Sequence, residues 1–394
     1  MTATTVGLSL AEVRQIEGDG QVPLYAKREI ALVRGDGAYL FDSEGKRYLD
    51  AMSNYGVAVL GHADPAFAAA LTEQLGMLTT GHQSFYNDVR AALLREIAAI
   101  APPGLTRAFL SNSGAEAIEA ALKFARVASG RPKVVAAKRA YHGRTLGALA
   151  ATADPKYRAP FAPLPFDVTH VAFDDVEALG AAVNEETSAV ILEPIQGEAG
   201  VYPASDGYLQ AVRNLTTERG VLLIADEVQT AFRVGAPFAV GQAGIVPDIL
   251  CTAKALANGF PIGLTLTTEA VSAGVPAGSH GSTFAGGPLA CRAALATLTA
   301  LRERDLYARS AALGAEIVDR IVALKSPKVR QVRGRGLMIG VELKERVAPT
   351  LRALQTRGVL ALPAGALTLR LLPPLIWEQA QGDELLEAVE QVLA

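Results

Sequence analysis

Between about residues 60 and 290, stretches with apolar side chains at three- and four-residue spacing alternate with short unbroken apolar runs. FAAALTEQLGML (67–78) and RAALLREIAAI (90–100) show the first pattern, which lays one apolar face along a helix. TRAFLSN, PKVVAAKR, SAVILEP, GVLLIADE and DILCTAK show the second, the mark of strands covered on both faces. Their alternation predicts an α/β fold, a mostly parallel sheet between layers of helices. Residues 31–53 differ: turn signals at Gly35-Asp36-Gly37 and Ser43-Glu44-Gly45 separate short β-prone runs, which predicts a small antiparallel meander. Beyond 290, CRAALATLTALRER, RGRGLMIGVEL and GDELLEAVEQVLA predict a helix, a strand and a final helix in a separate α+β lobe.

Composition narrows the class of function. The chain has 394 residues, half of them hydrophobic and a fifth charged, enough core for two or three domains. A formal charge of −3 without a polybasic tract argues against nucleic acid and membrane surfaces as partners. Cys251 and Cys291 form no CxxC and the five histidines show no ligand spacing, so neither a disulfide framework nor a metal site is expected. The first twenty residues lack the basic-then-apolar order of a leader, and no apolar run reaches membrane-spanning length. A cytoplasmic protein is expected.

The candidate chemistry begins where GVLLIADE ends. Asp226 and Glu227 close a buried strand, and three roles compete: a magnesium ligand, a carboxylate aimed at a cationic ring, or a strand-end cap. The first requires a GxxxxGK[ST] phosphate loop, which the sequence lacks. The cap is the ordinary explanation for an isolated pair. Lys254 changes the balance, because it follows ILCTA and precedes AL at the end of the next strand. Apolar surroundings disfavour an ammonium and make the amine nucleophilic. An acid at one strand end and a desolvated lysine at the next suit pyridoxal phosphate, with the lysine bonded to the cofactor and the carboxylate keeping its ring nitrogen protonated. A phosphate would sit where Ser111, Asn112, Ser113 and Gly114 lead into a helix with Ile118, Leu122 and Ala125 on its apolar face. On that helix Glu119 and Lys123 have the spacing of an exposed ion pair. Thr283, in GSHGSTFAGGP, is a further candidate for a phosphate hydroxyl.

SNSGAEAIEAALKFAR, YHGRTLGALAAT, ILEPIQGEAGV, ADEVQT, AKALANGFPIG and HGSTFAGGPLA occur in the order found in class III (ω-amino) aminotransferases, and from about residue 25 onward the chain resembles that family. YGVAVLGH, DPKYRAPF, SPKVRQVRGRGLMIGVELKE and VLALPAGALTLRLLPPL resemble the acetylornithine aminotransferase group. Within it they are most similar to the lysine-biosynthetic members that act on substrates tethered to the amino-group carrier protein LysW. The resemblance implies a fold type I transferase. Its large domain would span 56–290, and a smaller α+β domain built from both termini would comprise 1–55 and 291–394. It implies pyridoxal 5'-phosphate as cofactor, glutamate and 2-oxoglutarate as one substrate pair, and a homodimer with shared active sites. An acidic carrier protein could present the other substrate. Ornithine or γ-aminobutyrate aminotransferases, and a cofactor-binding protein without activity, are the alternatives.

Position by position, the resemblance makes Lys254 the covalent anchor and proton shuttle and Asp226 the partner of the ring nitrogen. Gln229 would bond the ring's phenolic oxygen, with Val228 and Tyr141 on its two faces. Strand alternation would put Asp226 and Val228 on one side. Ser113, Gly114 and Ala115 would hold the phosphate together with Thr283 of the second subunit. Arg144 and Arg370 would grip substrate carboxylates, Glu198 would neutralise Arg370 in the donor half-reaction, and Tyr55 would line the entrance. Glu227 points to the opposite face and is expected to be structural, paired with a basic group. The family pattern QTGxGRTG is one residue shorter here and lacks two glycines, which puts Phe232 where the backbone ordinarily turns on glycine. Asn258 and Gly287 stand where Gly and Asn are usual.

Overall fold

A computed structural model describes residues 7–394. Its centre is a seven-stranded sheet of β1 (Arg107–Ser111), β2 (Lys133–Ala137), β3 (Val168–Val171), β4 (Thr187–Leu192), β5 (Leu222–Asp226), β6 (Ile249–Thr252) and β7 (Gly263–Thr267). The spatial order is β1-β7-β6-β5-β4-β2-β3. Strands β3, β2, β4, β5 and β6 run parallel, whereas β7 runs antiparallel to both of its neighbours. The five strands expected from apolar runs are all present. The other two, VTHV and GLTLT, are too polar or too close to glycine and proline to carry that signal.

The helix Gly114–Ser129 shows why the sheet is covered as it is. Ser113 caps it by accepting from the Glu116 amide, and Gly130 ends it at φ +70°. Ile118, Leu122 and Ala125 are fully buried as expected, and so are Ala117, Ala120 and Ala121. The wider buried face lets the helix pack on the sheet and on the helix Leu146–Ala151 together. Glu119 does not pair with Lys123. It accepts hydrogen bonds from the Gly147 and Ala148 amides (2.8 and 3.1 Å), while Lys123 Nζ lies 2.8 Å from His280 Nδ1. The free amides of the second helix outcompete a solvated pair for the carboxylate.

The expected meander forms as Leu32–Asp36, Tyr39–Asp42 and Arg47–Asp50. Its last strand pairs in parallel with Val359–Leu360, so one sheet draws on both ends of the chain. RGRGLMIGVEL is not one strand but the end of Val329–Arg335 and the whole of Met338–Leu343, joined by a turn at Gly336 (φ +52°). With Leu362–Ala364 and Thr368–Leu371 they form a second four-stranded antiparallel sheet. Among the described residues no helix is long and apolar enough to cross a membrane.

Candidate active site

Strand β5 ends at Asp226, so the carboxylate stands at the carboxyl edge of the sheet, where open α/β sheets bind ligands. Its side chain is 4% exposed, and Oδ2 lies 2.7 Å from His142 Nδ1. Val228 reaches the same cavity by a turn rather than by strand alternation: its amide, two residues beyond the strand's end, donates to Asp226 Oδ1 at 3.0 Å. Glu227 is completely buried and, among the described residues, meets no basic group. It accepts from the Thr230 hydroxyl and from the Ala239 and Val240 amides (3.0 and 2.8 Å), so it anchors the start of the short helix Ala239–Gln242. Backbone donors on that buried face take the place of the expected cation. Burial pushes its carboxyl up to about 7.

Strand β6 leads to Lys254, whose backbone is forced to φ +25° at the head of a tight turn, Lys254–Ala257. Burial lowers its amine to about 8, with Glu198 and Asp226 acting in the other direction. Asn258 closes that turn at φ +45°, which explains why it can replace glycine. Its side chain accepts from the Leu60 amide (2.8 Å) and donates to the Gly61 carbonyl (3.3 Å), holding a conformation that asparagine tolerates. Gly287, at φ −62°, has an ordinary backbone.

Asp226, Val228, Gln229 and Lys254 line a cavity of about 410 Å³ together with Ser113, Gly114 and Ala115. Gly114 is required by close approach, since a Cβ there would lie 2.7 Å from Val228 Cγ1. Tyr141 and Arg144 also border this space. The Arg144 Nε donates to the Tyr141 hydroxyl (3.2 Å), and its guanidinium sits 3.7 Å over the Tyr157 ring. Tyr141 also lines a second cavity of about 840 Å³, shared with Tyr55, Tyr157 and Glu198 and walled by Lys138, Arg139, Lys156 and Arg158. Arg370, on the strand Thr368–Leu371, is 0% exposed and donates to Glu198 (2.7 Å) and to Gln229 Oε1 (3.1 Å). Gln229 Nε2 donates to Glu198 in turn (3.0 Å), so the three side chains close a triangle. Burial opposes the Glu198 charge, but Arg370 overcomes it and holds the carboxyl below its usual range.

Thr283 borders neither cavity in this chain and is exposed. Its neighbour Ser282 accepts from Asn112 Nδ2 (2.9 Å) beside the Ser113 turn. Two buried groups escaped the sequence reading. His142 is fully enclosed; burial opposes its charge, yet the bond and charge of Asp226, helped by Glu193, hold it above its ordinary value. Glu193 accepts from the Tyr141 and Gly197 amides (2.9 and 3.1 Å) and is raised to about 7, chiefly by burial. The available signal was position, because both lie inside YHGRT and ILEP, motifs already singled out.

The aminotransferase class-III family pattern matches residues 24–393. The chain belongs to that family. It is 46% identical over 374 residues to the [LysW]-aminoadipate semialdehyde transaminase of Deinococcus radiodurans, covering 94% of this chain and 87% of that one. It is 45% identical to the acetylornithine aminotransferase of Mycobacterium tuberculosis, covering 94% and 93%. Among solved structures, the ornithine aminotransferase of Toxoplasma gondii superposes with a TM-score of 0.94 at 31% identity, covering 98% of this chain and 95% of that one. This is a fold type I aminotransferase, and its cofactor is pyridoxal phosphate. The residues present suit that group. A buried amine, a carboxylate backed by a histidine and a capped helix N-terminus surround one space. His142 Nε2, the buried nitrogen not bonded to Asp226, has no partner among the described residues.

Proposed function

We propose that this aminotransferase moves the terminal amino group of an N-acylated ornithine or lysine to 2-oxoglutarate, in lysine or arginine biosynthesis, by a ping-pong sequence. The observation that carries the reading is the Arg370–Glu198–Gln229 triangle. Arg370 is completely buried, and its Nε and Nη2 lack partners. A guanidinium with free donors facing a displaceable carboxylate suits an enzyme that must accept two unlike substrates in turn. With Glu198 in place the arginine is neutralised and a terminal amine can approach; with Glu198 displaced it offers a bidentate grip to the α-carboxylate of the oxo acid.

The other roles follow from position. When bound, pyridoxal phosphate supplies a carbonyl that takes up the amino group and a ring that withdraws electrons from the reacting carbon. The Lys254 amine anchors it and carries the proton to and from that carbon. Asp226, backed by His142, would be its charged partner at the ring nitrogen, and Val228 and Tyr141 would flank the ring. Ser113, Gly114 and Ala115 would hold the phosphate by their amides. Gln229, committed here to Glu198 and Arg370, would also reach the ring oxygen. Arg144 would take the carboxylate of the N-acyl donor, and Tyr55 would line its path.

An acidic carrier protein fits the outer cavity, whose wall holds Lys138, Arg139, Lys156 and Arg158 although the chain as a whole is negative. The name of the Deinococcus relative supports this donor. The deciding measurement is kcat/KM for N-acetylornithine, ornithine and carrier-linked lysine with 2-oxoglutarate. We expect carrier-linked lysine to be preferred by more than about tenfold, and the preference to shrink as salt screens the basic wall. Turnover of free ornithine alone would overturn the reading.

The same proposal includes a homodimer that brings Thr283 of a second subunit to the phosphate. Phe85, Tyr86 and Phe284 are largely exposed, and Arg90 ties their loops together through the Gly81, Phe85 and Gly286 carbonyls. Light scattering is expected to give twice the 41.2 kDa chain mass; a monomer active at nanomolar dilution would exclude shared sites.

A further inference from the structure

Four residues past Gln229, the chain buries a guanidinium that the chemistry above leaves unused. Arg233 is 0% exposed and no carboxylate pairs with it among the described residues. Its Nη1 donates to the Leu337 carbonyl at 2.8 Å and lies 3.5 Å from that of Pro373; Nη2 is 3.5 Å from Ser53 Oγ, and Nε has no partner. Burial, with the nearby charge of Arg370, pulls the group down to about 9, while Asp50 acts in the other direction. An apolar side chain of similar volume would fill this space at lower cost. Packing alone does not explain the arginine.

The segments that meet there are those that carry the substrate-facing side chains. Ser53 opens a run of four left-handed residues, Ser53, Asn54, Tyr55 and Gly56, with φ of 38, 51, 62 and 85°. L-residues adopt that region reluctantly, so such a run needs support from outside. Arg233 provides a flat surface for it: a Cβ on Gly56 would stand 3.1 Å from Nε and 3.3 Å from Cζ. Asn54 reaches the cofactor cavity from this run, and the Tyr55 ring lies 5.4 Å from the Arg370 guanidinium. Ser53 Oγ also donates to the Leu372 carbonyl (2.5 Å), two residues past Arg370, and Pro373 follows directly. Phe232 at φ +70° turns into the core against Phe238, so the shortened loop directs the next side chain inward.

We infer that Arg233 is a positioning residue: it fixes where Tyr55 and Arg370 stand relative to the cofactor cavity, and so governs affinity for both the amino donor and the oxo acid. The inference rests on the proposed assignment of those two residues to substrate binding. Lysine at this position keeps the charge but loses the planar fork. The holoenzyme carrying Arg233→Lys is expected to bind cofactor at wild-type stoichiometry with kcat within about threefold, while both KM values rise about tenfold. Arg370→Ala, measured beside it, is expected to raise the KM for 2-oxoglutarate. If Arg370→Ala raises that KM and Arg233→Lys leaves both at wild-type values, or lowers only kcat, the positioning role is wrong. If Arg370→Ala changes nothing, the substrate assignment falls and the inference with it. Should Arg233→Lys fail to fold, Ser53→Ala decides, since it removes the hydroxyl joining the Tyr55 run to the Arg370 strand: raised KM values support the inference, and unchanged values overturn it.

Discussion

Lys254→Ala is expected to lower kcat by about four orders of magnitude or more, because one change removes both the proposed nucleophile and the proposed proton carrier. The cofactor should remain bound through its phosphate but become removable by dialysis, with the fold intact. Alanine at 254 leaves no other amine lining the inner cavity. The same lysine predicts a pH effect on cofactor-free protein. Its folded-state value of about 8 lies below the ordinary 10.5. Below pH 8 the amine is protonated in both states, and the cost of burying the charge is present in full. Between 8 and 10.5 the unfolded chain holds more protons, so stability rises with pH. Denaturation of cofactor-free wild type beside Lys254→Met should therefore show the gap between them narrowing across that window. Wild-type kcat in Lys254→Ala would remove the lysine from the mechanism.

Asp226→Asn should cost about a hundredfold to ten-thousandfold in kcat, with the KM for 2-oxoglutarate little changed. Asparagine matches the carboxylate in size and can still accept from the Val228 amide, so the turn survives. What disappears is the negative charge. The enclosed side chain of His142 is held above its ordinary value against burial chiefly by Asp226, and the variant removes that support. The cofactor ring then loses the field that favours a protonated nitrogen. Single-turnover rates with donor and with glutamate should fall together, because the ring serves both half-reactions. A variant within threefold of wild type would show that Asp226 is a strand cap after all.

Local pattern carried most of the sheet but little of its wiring. Five strands were legible because unbroken apolar runs betray burial on both faces, and the acid and lysine were legible because they terminate two of those runs. GLTLT was not legible, since an antiparallel strand between a proline turn and threonines has no run to display. Glu119 and Glu227, the latter structural as expected, were given the wrong partners for a common reason: each was matched to a nearby or assumed cation, whereas the folded chain offers their carboxylates backbone amides. His142 stayed hidden because a histidine acquires meaning only through its partner, and Asp226 lies 84 positions away. The left-handed run at Ser53–Gly56 left no trace either, for the groups that support it, Arg233 and the Leu372 carbonyl, are distant in sequence.

The parallel pairing of Arg47–Asp50 with Val359–Leu360 has a consequence for how the enzyme comes into being. On the ribosome, every strand of the large sheet has been synthesised once residue 267 is added, while one edge of Arg47–Asp50 still awaits its neighbour. Until then that open edge is free to pair with the wrong partner, and a chaperone that shields it would raise yield. Tyr55 and Arg370 meet only when synthesis is nearly over.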